Sequence, residues 1–391
     1  MKSKTKYSLT QSTWGKEELE AINQVVKSGN FTMGTYVKEF EKKFATYFNS
    51  KYAVMVNSGS SANLIAIASL FYKKSNPLMP GDEVVVPAVS WSTTYSPLQQ
   101  YGLKLKFVDI DIETLNFDIK KLEQAVTTKT RVILAVNLLG NPNEFKEIKK
   151  IINGKDIILF EDNCESMGAK YNNEYAGSLG DIGTFSMFYS HHICTMEGGM
   201  ILTNEIELYH IMLSLRAHGW TRDLPMNNSI IRKETDDFKE SFKFILPGYN
   251  LRPLEMSAAI GIKQLDKLEK FVLTRRYNAN IFKTLLGSMD GVSIQKETGY
   301  SSWFGFSIIL DEAYDRQIIL EKLQKNNIDT RPIVSGNILN NPMLKYFNYE
   351  ISGDIINAEK ISNHGFFVGN SHHDLTEELT NFKKILYESL H

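Results

Sequence analysis

The stretch "YAVMVNSGSSANLIAIASLFYKK", residues 52–74, contains the structural unit from which the architecture can be inferred. It opens with an apolar run rich in β-branched residues, passes through a turn of small residues, and continues as a helical pattern. An apolar strand followed directly by a helix is typical of parallel sheets, in which the strands are buried on both faces.

The same unit recurs through the first half of the chain. Further apolar runs are "DEVVVPAV" (82–89), "LKFVDI" (105–110), "RVILAVNLLG" (131–140) and "DIILFED" (156–162), and helical patterns such as "NEFKEIKKIIN" (143–153) lie between them. This alternation predicts an α/β fold whose mostly parallel sheet is covered by helices on both faces.

The rhythm of strands and helices changes after about residue 205. A polar stretch, residues 221–240, precedes a long helical pattern, residues 253–286, and the later strands are fewer and more alternating. We place a boundary near residue 250, which predicts a first domain of residues 1–250 and a second of residues 251–391.

Composition excludes several classes of protein. Among 391 residues, 44 Lys and Arg stand against 45 Asp and Glu, so we expect neither nucleic acid nor an acidic membrane surface as a partner. The N-terminus lacks a signal-peptide core and no segment approaches about 18 apolar residues, so we expect a cytoplasmic protein. The two cysteines, Cys164 and Cys194, lack the spacing of a disulfide framework or a zinc site, and we expect no metal.

Two small-residue segments at predicted strand ends are candidates for ligand binding. In "VNSGSSANL" the backbone N–H groups of Gly59, Ser60 and Ser61 open a helix and are suited to a phosphate, although an ordinary capped helix has the same pattern. In "SWSTT" the ring of Trp91 follows a strand, where it either stacks on a flat ligand or packs in the core.

A third segment, "IILFEDNCESMGA", ends an apolar strand with carboxylates. Asp162 closes the strand and Glu165 follows about one helical turn later. A carboxylate at the end of a buried strand is costly unless a cation meets it, and a protonated pyridine nitrogen is such a partner. The alternative for Asp162 is a helix cap.

Taken with "GTFSMFYSHHICTMEGG" (183–199), "GYNLRPLEMSAAIG" (248–261) and "TRPIVSGN" (330–337), these motifs resemble the DegT/DnrJ/EryC1 aminotransferase family over residues 15–375. The resemblance implies a fold-type I, aspartate aminotransferase-like enzyme that uses pyridoxal phosphate (PLP). It also implies a large domain with a mostly parallel mixed sheet and a smaller C-terminal α+β domain.

The resemblance assigns a cofactor-binding role to several residues. Trp91 is expected to stack on the pyridine ring, Asp162 to pair with its nitrogen, and Ser186 to join the Gly59–Ser61 turn at the phosphate. Asn250 is expected to reach the cofactor phosphate of a neighbouring subunit, which implies a homodimer with shared sites.

The residue five positions after Ser186 is, in this family, the lysine that binds the cofactor covalently, and here it is His191. No lysine lies between Lys170 and Lys233. Imidazole does not form the stable imine that a lysine amine forms. Its unperturbed pKa of about 6.5, against about 10.4 for lysine, suits it to act as a base near neutral pH.

Histidine at this position, the "HHI…EGG" pattern and Glu165 resemble the 3-dehydratase branch of the family. The branch implies removal of the C3 hydroxyl of a nucleotide-linked 4-keto-6-deoxy sugar, GDP-4-keto-6-deoxy-D-mannose, with His191 as the catalytic base. The implied products are a 4-keto-3,6-dideoxy sugar and ammonia, and L-glutamate restores pyridoxamine phosphate (PMP). Other 3-dehydrases with this histidine hold an iron–sulfur cluster, whose four cysteine ligands this chain lacks.

Three further residues are candidate substrate contacts. His218 and Arg222 lie in "RAHGWTRD", and Arg331 in "TRPIVSGN" has the guanidinium that suits a carboxylate or diphosphate. Two alternatives remain open: a PLP-dependent nucleotide-sugar aminotransferase that keeps the nitrogen on its product, and a non-catalytic binding or regulatory protein of the same fold. The missing lysine argues against the first, and the retained cofactor motifs argue against the second.

Overall fold

The computed structural model describes residues 7–390. The α-helices are α1 Lys16–Ser28, α2 Thr35–Tyr47, α3 Gly59–Leu70, α4 Ser92–Gln100, α5 Ile119–Ala125, α6 Phe145–Ile152, α7 Ile206–Leu215, α8 Asp237–Glu240, α9 Glu255–Leu265, α10 Leu268–Leu286, α11 Arg316–Lys325, α12 Ile356–His364 and α13 Thr376–Leu390. Short 3₁₀ turns lie at Leu138–Gly140, Ile338–Asn340 and Pro342–Tyr346.

The strands are β1 Tyr52–Val56, β2 Glu83–Pro87, β3 Lys104–Val108, β4 Thr130–Val136, β5 Ile158–Asp162, β6 Lys170–Tyr171, β7 Glu174–Tyr175, β8 Ile182–Ser186, β9 Gly199–Thr203, β10 Val292–Ile294, β11 Gly305–Leu310, β12 Tyr349–Ser352 and β13 Gly365–Gly369. Eight of them form one sheet in the order β1-β9-β8-β5-β4-β2-β3-β12. Only β9 runs against its neighbours in this sheet. The predicted mostly parallel, mixed sheet is therefore confirmed.

Successive side chains of the central strands pack into different cores, as the two-sided burial of a parallel sheet requires. Val84 and Val86 join the core beneath α3 and α4, while Val85 between them joins the core beneath α5 and α6. Helices thus cover both faces, as the apolar runs predict.

The later part of the chain adds a second, antiparallel sheet, β10-β11-β13, which packs with α10, α11 and α13. Two later segments associate with the first part of the chain: α9 packs on α1 and α2, and β12 extends the large sheet beside β3. The boundary near residue 250 stays a prediction.

The carboxyl ends of β1, β2, β4, β5 and β8 meet at one edge of the large sheet, because these strands share one direction. Ligands of open α/β sheets bind at this edge. Between residues 7 and 390, no helix combines the length and the apolar content needed to cross a bilayer.

Candidate functional site

A cavity of about 650 Å³ opens at the carboxyl edge of the large sheet. Of the residues singled out from the sequence, its lining includes Gly59, Ser60, Trp91, Asp162, Glu165, Ser186, His191 and Arg331. Ser61, Asn250, His218 and Arg222 are not part of this lining. The motifs are far apart in the chain, and all of these residues except Arg331 converge because they lie at or just after the end of a strand in the same sheet.

The first turn of α3 offers an anion site at the floor of the cavity. Ser58 caps the helix, and in the described chain neither the Gly59 nor the Ser60 N–H has a hydrogen-bond acceptor. A Cβ on Gly59 would lie 2.5 Å from the Cβ of Ser186, so only glycine lets the helix approach the end of β8 so closely. Free N–H groups at a helix N-terminus beside a serine hydroxyl suit a phosphate.

Ser61 does not contribute a free N–H to this turn, contrary to the expectation from the sequence. Its N–H donates to the Ser58 side chain at 3.1 Å, and its hydroxyl donates to Asn57 at 2.6 Å. Ser60, in contrast, faces the cavity, and its hydroxyl lies 2.7 Å from that of Thr93. The Ser61 N–H, which the sequence pattern assigned to a ligand, is therefore already bonded to the capping Ser58.

Asp162 is a buried carboxylate held by neutral donors. One oxygen accepts from Asn63 at 3.0 Å and Thr94 at 2.8 Å, and the other accepts from the backbone N–H of Cys164 at 3.1 Å. No lysine or arginine of the described chain forms a salt bridge with it. A buried, uncompensated carboxylate facing a cavity suits a cationic ring nitrogen.

Asn63 and Thr94 were not singled out from the sequence. Both lie within the motifs "NSGSSAN" and "SWSTT", on which the resemblance depends, and this position could have identified them as site residues. Glu161, the residue before Asp162, points away from the cavity, where it accepts the backbone N–H groups of Gly177 and Leu179 at 2.7 Å each. Of the adjacent carboxylates, only Asp162 serves the cavity.

Trp91 stands at the start of α4 with 60% of its surface exposed. It is thus not a core residue, which removes the alternative considered for it. Its ring lines the cavity across from the end of β5, and an exposed indole there is suited to stacking on a planar ligand.

His191 presents one ring nitrogen to the protein and leaves the other for chemistry. Nδ1 lies 2.5 Å from the carbonyl oxygen of Cys164, and since a carbonyl only accepts, Nδ1 carries the proton. Nε2 of the neutral ring is then an acceptor, on a side chain that lines the cavity. Burial lowers the pKa of His191 to about 4, against smaller upward effects of the Cys164 bond and the Asp162 charge. The ring is therefore a neutral base at pH 7.

His192, its neighbour, has a different environment. It is fully buried, donates from Nε2 to the carbonyl of Ser302 at 3.1 Å, and does not line the cavity. Its Nδ1 is buried without a partner in the described chain, and burial lowers its pKa well below the usual value. The geometry thus separates the two histidines and favours His191 as the reactive one.

Glu165 lies in the same cavity as Asp162 and His191. Burial raises its pKa to about 7, even though the N–H of Leu139, 3.0 Å away, favours the charged form. The charge of Asp162 raises this pKa further. Glu165 is therefore able to hold or release a proton near neutral pH.

Phe304 forms a wall of the site that sequence reasoning missed. Its ring centre lies 5.3 Å from that of His191 and 5.9 Å from that of His192. It comes from a loop more than a hundred residues later in the chain, and no local pattern marks it.

Arg331 lines the cavity from the later part of the chain, where its backbone pairs with that of Phe367. Its exposed guanidinium is available to a ligand in the cavity. Its assignment to a carboxylate or diphosphate stays a prediction.

Three predicted site residues lie outside the cavity on the exposed surface. Asn250 accepts from Arg252 at 3.0 Å, His218 has a left-handed backbone with φ of 66°, and Arg222 lies over the ring of Trp220. Their roles stay predictions.

The donor set fits PLP or PMP. The turn at Gly59 and Ser60 suits the phosphate, the exposed ring of Trp91 suits the pyridine, and the uncompensated carboxylate of Asp162 suits its nitrogen. No group of three or more metal-ligating side chains is assembled anywhere in residues 7–390.

Comparison with known proteins gives a consistent result along almost the whole chain. Residues 12–382 match the DegT/DnrJ/EryC1/StrS aminotransferase family. The chain is 58% identical over 384 residues to a GDP-4-keto-6-deoxy-D-mannose 3-dehydratase of Yersinia pseudotuberculosis, covering 97% of this chain and 98% of the relative.

Two solved structures share this likeness. The Escherichia coli GDP-4-keto-6-deoxy-D-mannose-3-dehydratase with bound hydrated PLP has a TM-score of 0.97 and 56% identity, over 98% of this chain and 100% of that one. A GDP-4-keto-6-deoxymannose-3-dehydratase with a trapped PLP–glutamate geminal diamine has a TM-score of 0.96 and 56% identity, over 97% of this chain and 100% of that one. The resemblance and the fold class inferred from the motifs are confirmed: this chain belongs to the DegT/DnrJ/EryC1/StrS aminotransferase family.

Proposed function

We propose that this protein is a PLP/PMP-dependent 3-dehydratase that removes the C3 hydroxyl of GDP-4-keto-6-deoxy-D-mannose and uses L-glutamate to restore PMP. The observation that carries the proposal is His191: a neutral imidazole with an accepting Nε2 lines the cavity, at the position where the family has a lysine. The near full-length likeness to named 3-dehydratases supports the reaction and the substrate.

When bound, PMP supplies the amine that captures the C4 ketone and the pyridine ring that withdraws electrons. Asp162, held by Asn63 and Thr94, keeps a positive charge on the ring nitrogen favourable. His191 accepts a proton at Nε2, because Cys164 holds the proton on Nδ1. The free N–H groups of Gly59 and Ser60 hold the phosphate.

The atoms balance over the whole reaction. The C3–O bond breaks and the hydroxyl leaves as water, while the nitrogen is released as ammonia when the enamine at C4 of the dideoxy sugar is hydrolysed to the ketone. The two electrons that loss of the hydroxyl requires would come from conversion of PMP to PLP, and L-glutamate, oxidised to 2-oxoglutarate, would restore the amine form. Since His191 cannot form the imine that a lysine forms, no side chain at that position competes for the aldehyde.

Four residues are proposed to contact the substrate or the site of a second subunit. Arg331 lines the cavity and serves a carboxylate or diphosphate. Asn250 is exposed and lies outside the cavity of its own chain, which supports its role in the site of a second subunit and hence a homodimer. His218 and Arg222 lie on the same exposed segment and are proposed to contact substrate.

The experiment that tests this function incubates the protein with PLP, L-glutamate and each of the GDP-, CDP-, dTDP- and UDP-linked 4-keto-6-deoxy sugars. Ammonia is measured, and the sugar products are identified by mass spectrometry. Ammonia together with a 3-deoxy sugar from the GDP-linked substrate is the expected result. An aminated sugar would identify an aminotransferase instead, and no product from any substrate would indicate a binding protein.

A further inference from the structure

Arg275, in the long helix α10, is a buried cation whose position calls for an explanation. Only 4% of it is exposed, and within residues 7–390 it forms no salt bridge. Its Nη1 instead donates toward three carbonyl oxygens, those of Trp303 at 3.4 Å, Phe304 at 3.1 Å and Asn370 at 3.1 Å. Burying a charge without an opposite charge is unfavourable for stability, so stability alone does not account for this arginine.

Two of the carbonyl groups that Arg275 binds, those of Trp303 and Phe304, belong to the loop beside the two histidines. Phe304 packs its ring on His191 and His192. The side chain of Asn370 links the same loop to α10, because it donates to the carbonyl of Trp303 in the loop and to that of Arg275 in the helix. The guanidinium therefore holds the backbone of the residue whose ring contacts the candidate base.

The opposite side of this loop is held by the 3₁₀ turn Leu138–Gly140, which follows β4. The N–H of Ser302 donates to Gly140 and that of Phe304 donates to Leu139, each at 2.9 Å. A Cβ on Gly140 would lie 2.5 Å from the backbone nitrogen of Trp303, so the approach needs glycine at that position. The loop lies between two fixed supports and has little freedom to move away from His191.

We propose that Arg275 is a positioning residue for His191, because it holds Phe304 against the imidazole and keeps a permanent positive charge near the ring. The inference rests on the proposed function, in which His191 is the base. A histidine accepts a proton only when its ring is neutral, and a neighbouring positive charge disfavours the protonated ring, the imidazolium. After burial, the charge of Arg275 also lowers the pKa of His191 and His192.

Other groups near His191 also affect its pKa, and they do not all shift it in the same direction. Asp162 raises the pKa of His191, as does the bond to the Cys164 carbonyl. The ionisable side chains that line the cavity together with His191 are those of Asp162, Cys164, Glu165, Glu197 and Arg331. Arg275 is not part of this lining, so it acts on His191 through its charge and through the loop of Phe304.

The test compares Arg275→Gln, which removes the charge, with Arg275→Lys, which keeps it. Arg316→Gln is the matched control, because Arg316 also donates to backbone carbonyls, but to those of Ser362 and Gly365 and not to the loop of Phe304. The readout is the pH titration of the His191 ring by NMR in protein labelled with ¹⁵N-histidine, a measurement that needs no cofactor or substrate. The resonance is assigned by its loss in His191→Asn.

We expect R275Q to move the His191 titration upward, and R275K to leave it near the wild-type value. In the dehydratase assay R275Q should lower kcat about tenfold with little change in KM, R275K should recover only part of that loss and stay about threefold below the wild type, and the acid limb of the kcat–pH profile should move with the titration. R316Q should lower thermal stability without moving either pH profile.

An unchanged His191 titration in R275Q, or an equal shift in R316Q, would refute the role proposed for Arg275 but leave the proposed function standing. If R275Q does not fold, R275K carries the test: its altered donor geometry should lower kcat several-fold at constant KM, and an unchanged kcat would refute the proposal. Absence of ammonia release by the wild-type protein would refute the proposed function instead.

Discussion

At His191 the two nitrogens of one ring have separate tasks. Nδ1 is committed to the Cys164 carbonyl, and this bond fixes both the ring orientation and the tautomer. Nε2 is left to exchange protons at the cavity, and burial keeps it unprotonated at neutral pH. A single backbone carbonyl thereby decides which atom of the side chain is reactive.

Replacing His191 with Asn should separate these tasks. The Asn amide can still donate to Cys164, but it has no basic nitrogen to offer the cavity. Because general base catalysis typically contributes on the order of 10²–10⁴ in rate, we expect turnover to fall by that factor while PLP affinity stays within a few-fold. Ammonia release and a PLP binding titration measure the two effects.

His192→Gln is the matched control for this prediction. Gln keeps a donor for the Ser302 carbonyl, so the buried contact survives, and turnover should fall far less than in H191N. Activity that persisted in H191N and disappeared in H192Q would show that the wrong histidine had been assigned.

The sequence predicted the residue but not its protonation state. The lysine position in the family motif points to His191, and the same motifs contain Asn63 and Thr94, the partners of Asp162. The tautomer depends on a carbonyl 27 residues upstream, and the neutral state depends on burial by Phe304. Both are tertiary effects that no local pattern records.

At the scale of elements, the site depends on how closely α3 approaches the end of β8. Ser58 caps α3 and thereby fixes where the helix begins, which leaves the first two N–H groups directed at the cavity. Gly59 then permits contact with Ser186. Helix start and strand end together make the phosphate site.

Gly59→Ala should damage this site. The added Cβ would lie 2.5 Å from that of Ser186, so α3 or β8 must shift, and overpacking of this kind costs about 1–3 kcal/mol. We expect at least a tenfold weaker PLP affinity and a lower melting temperature. Gly15→Ala is the control, because its nearest neighbour would lie at 3.7 Å. Wild-type PLP affinity in G59A would contradict the close approach.

The central strands and helices were predictable because burial on both faces produces continuous apolar runs. The edge strand β12 was not, since it has only four residues and two of its side chains are exposed. It is held on the sheet by Glu350, which forms salt bridges with Lys104 and Lys106 of β3. These contacts join residues more than 240 positions apart, and such pairing leaves no local signal.

At the scale of the whole molecule, the single chain leaves Asn250 outside the lining of its own cavity. Asn250 is exposed, and its backbone pairs with that of Ala217. The role predicted for Asn250, at the cofactor phosphate of a neighbouring subunit, therefore requires a homodimer in which each chain lends this residue to the other.

Subunit complementation tests this arrangement. In a heterodimer of H191N and Asn250→Ala chains, one site has both defects, whereas the other combines His191 of one chain with Asn250 of its partner and is intact. Heterodimers isolated with two different tags should therefore show about half the wild-type turnover per dimer, because one of two sites is competent. Pairing H191N with Ser186→Ala is the matched control: both residues line the same chain's cavity, so every site keeps a defect and no activity should return. Equal activity in the two pairings would mean that Asn250 acts within its own chain, and the shared site would have to be given up.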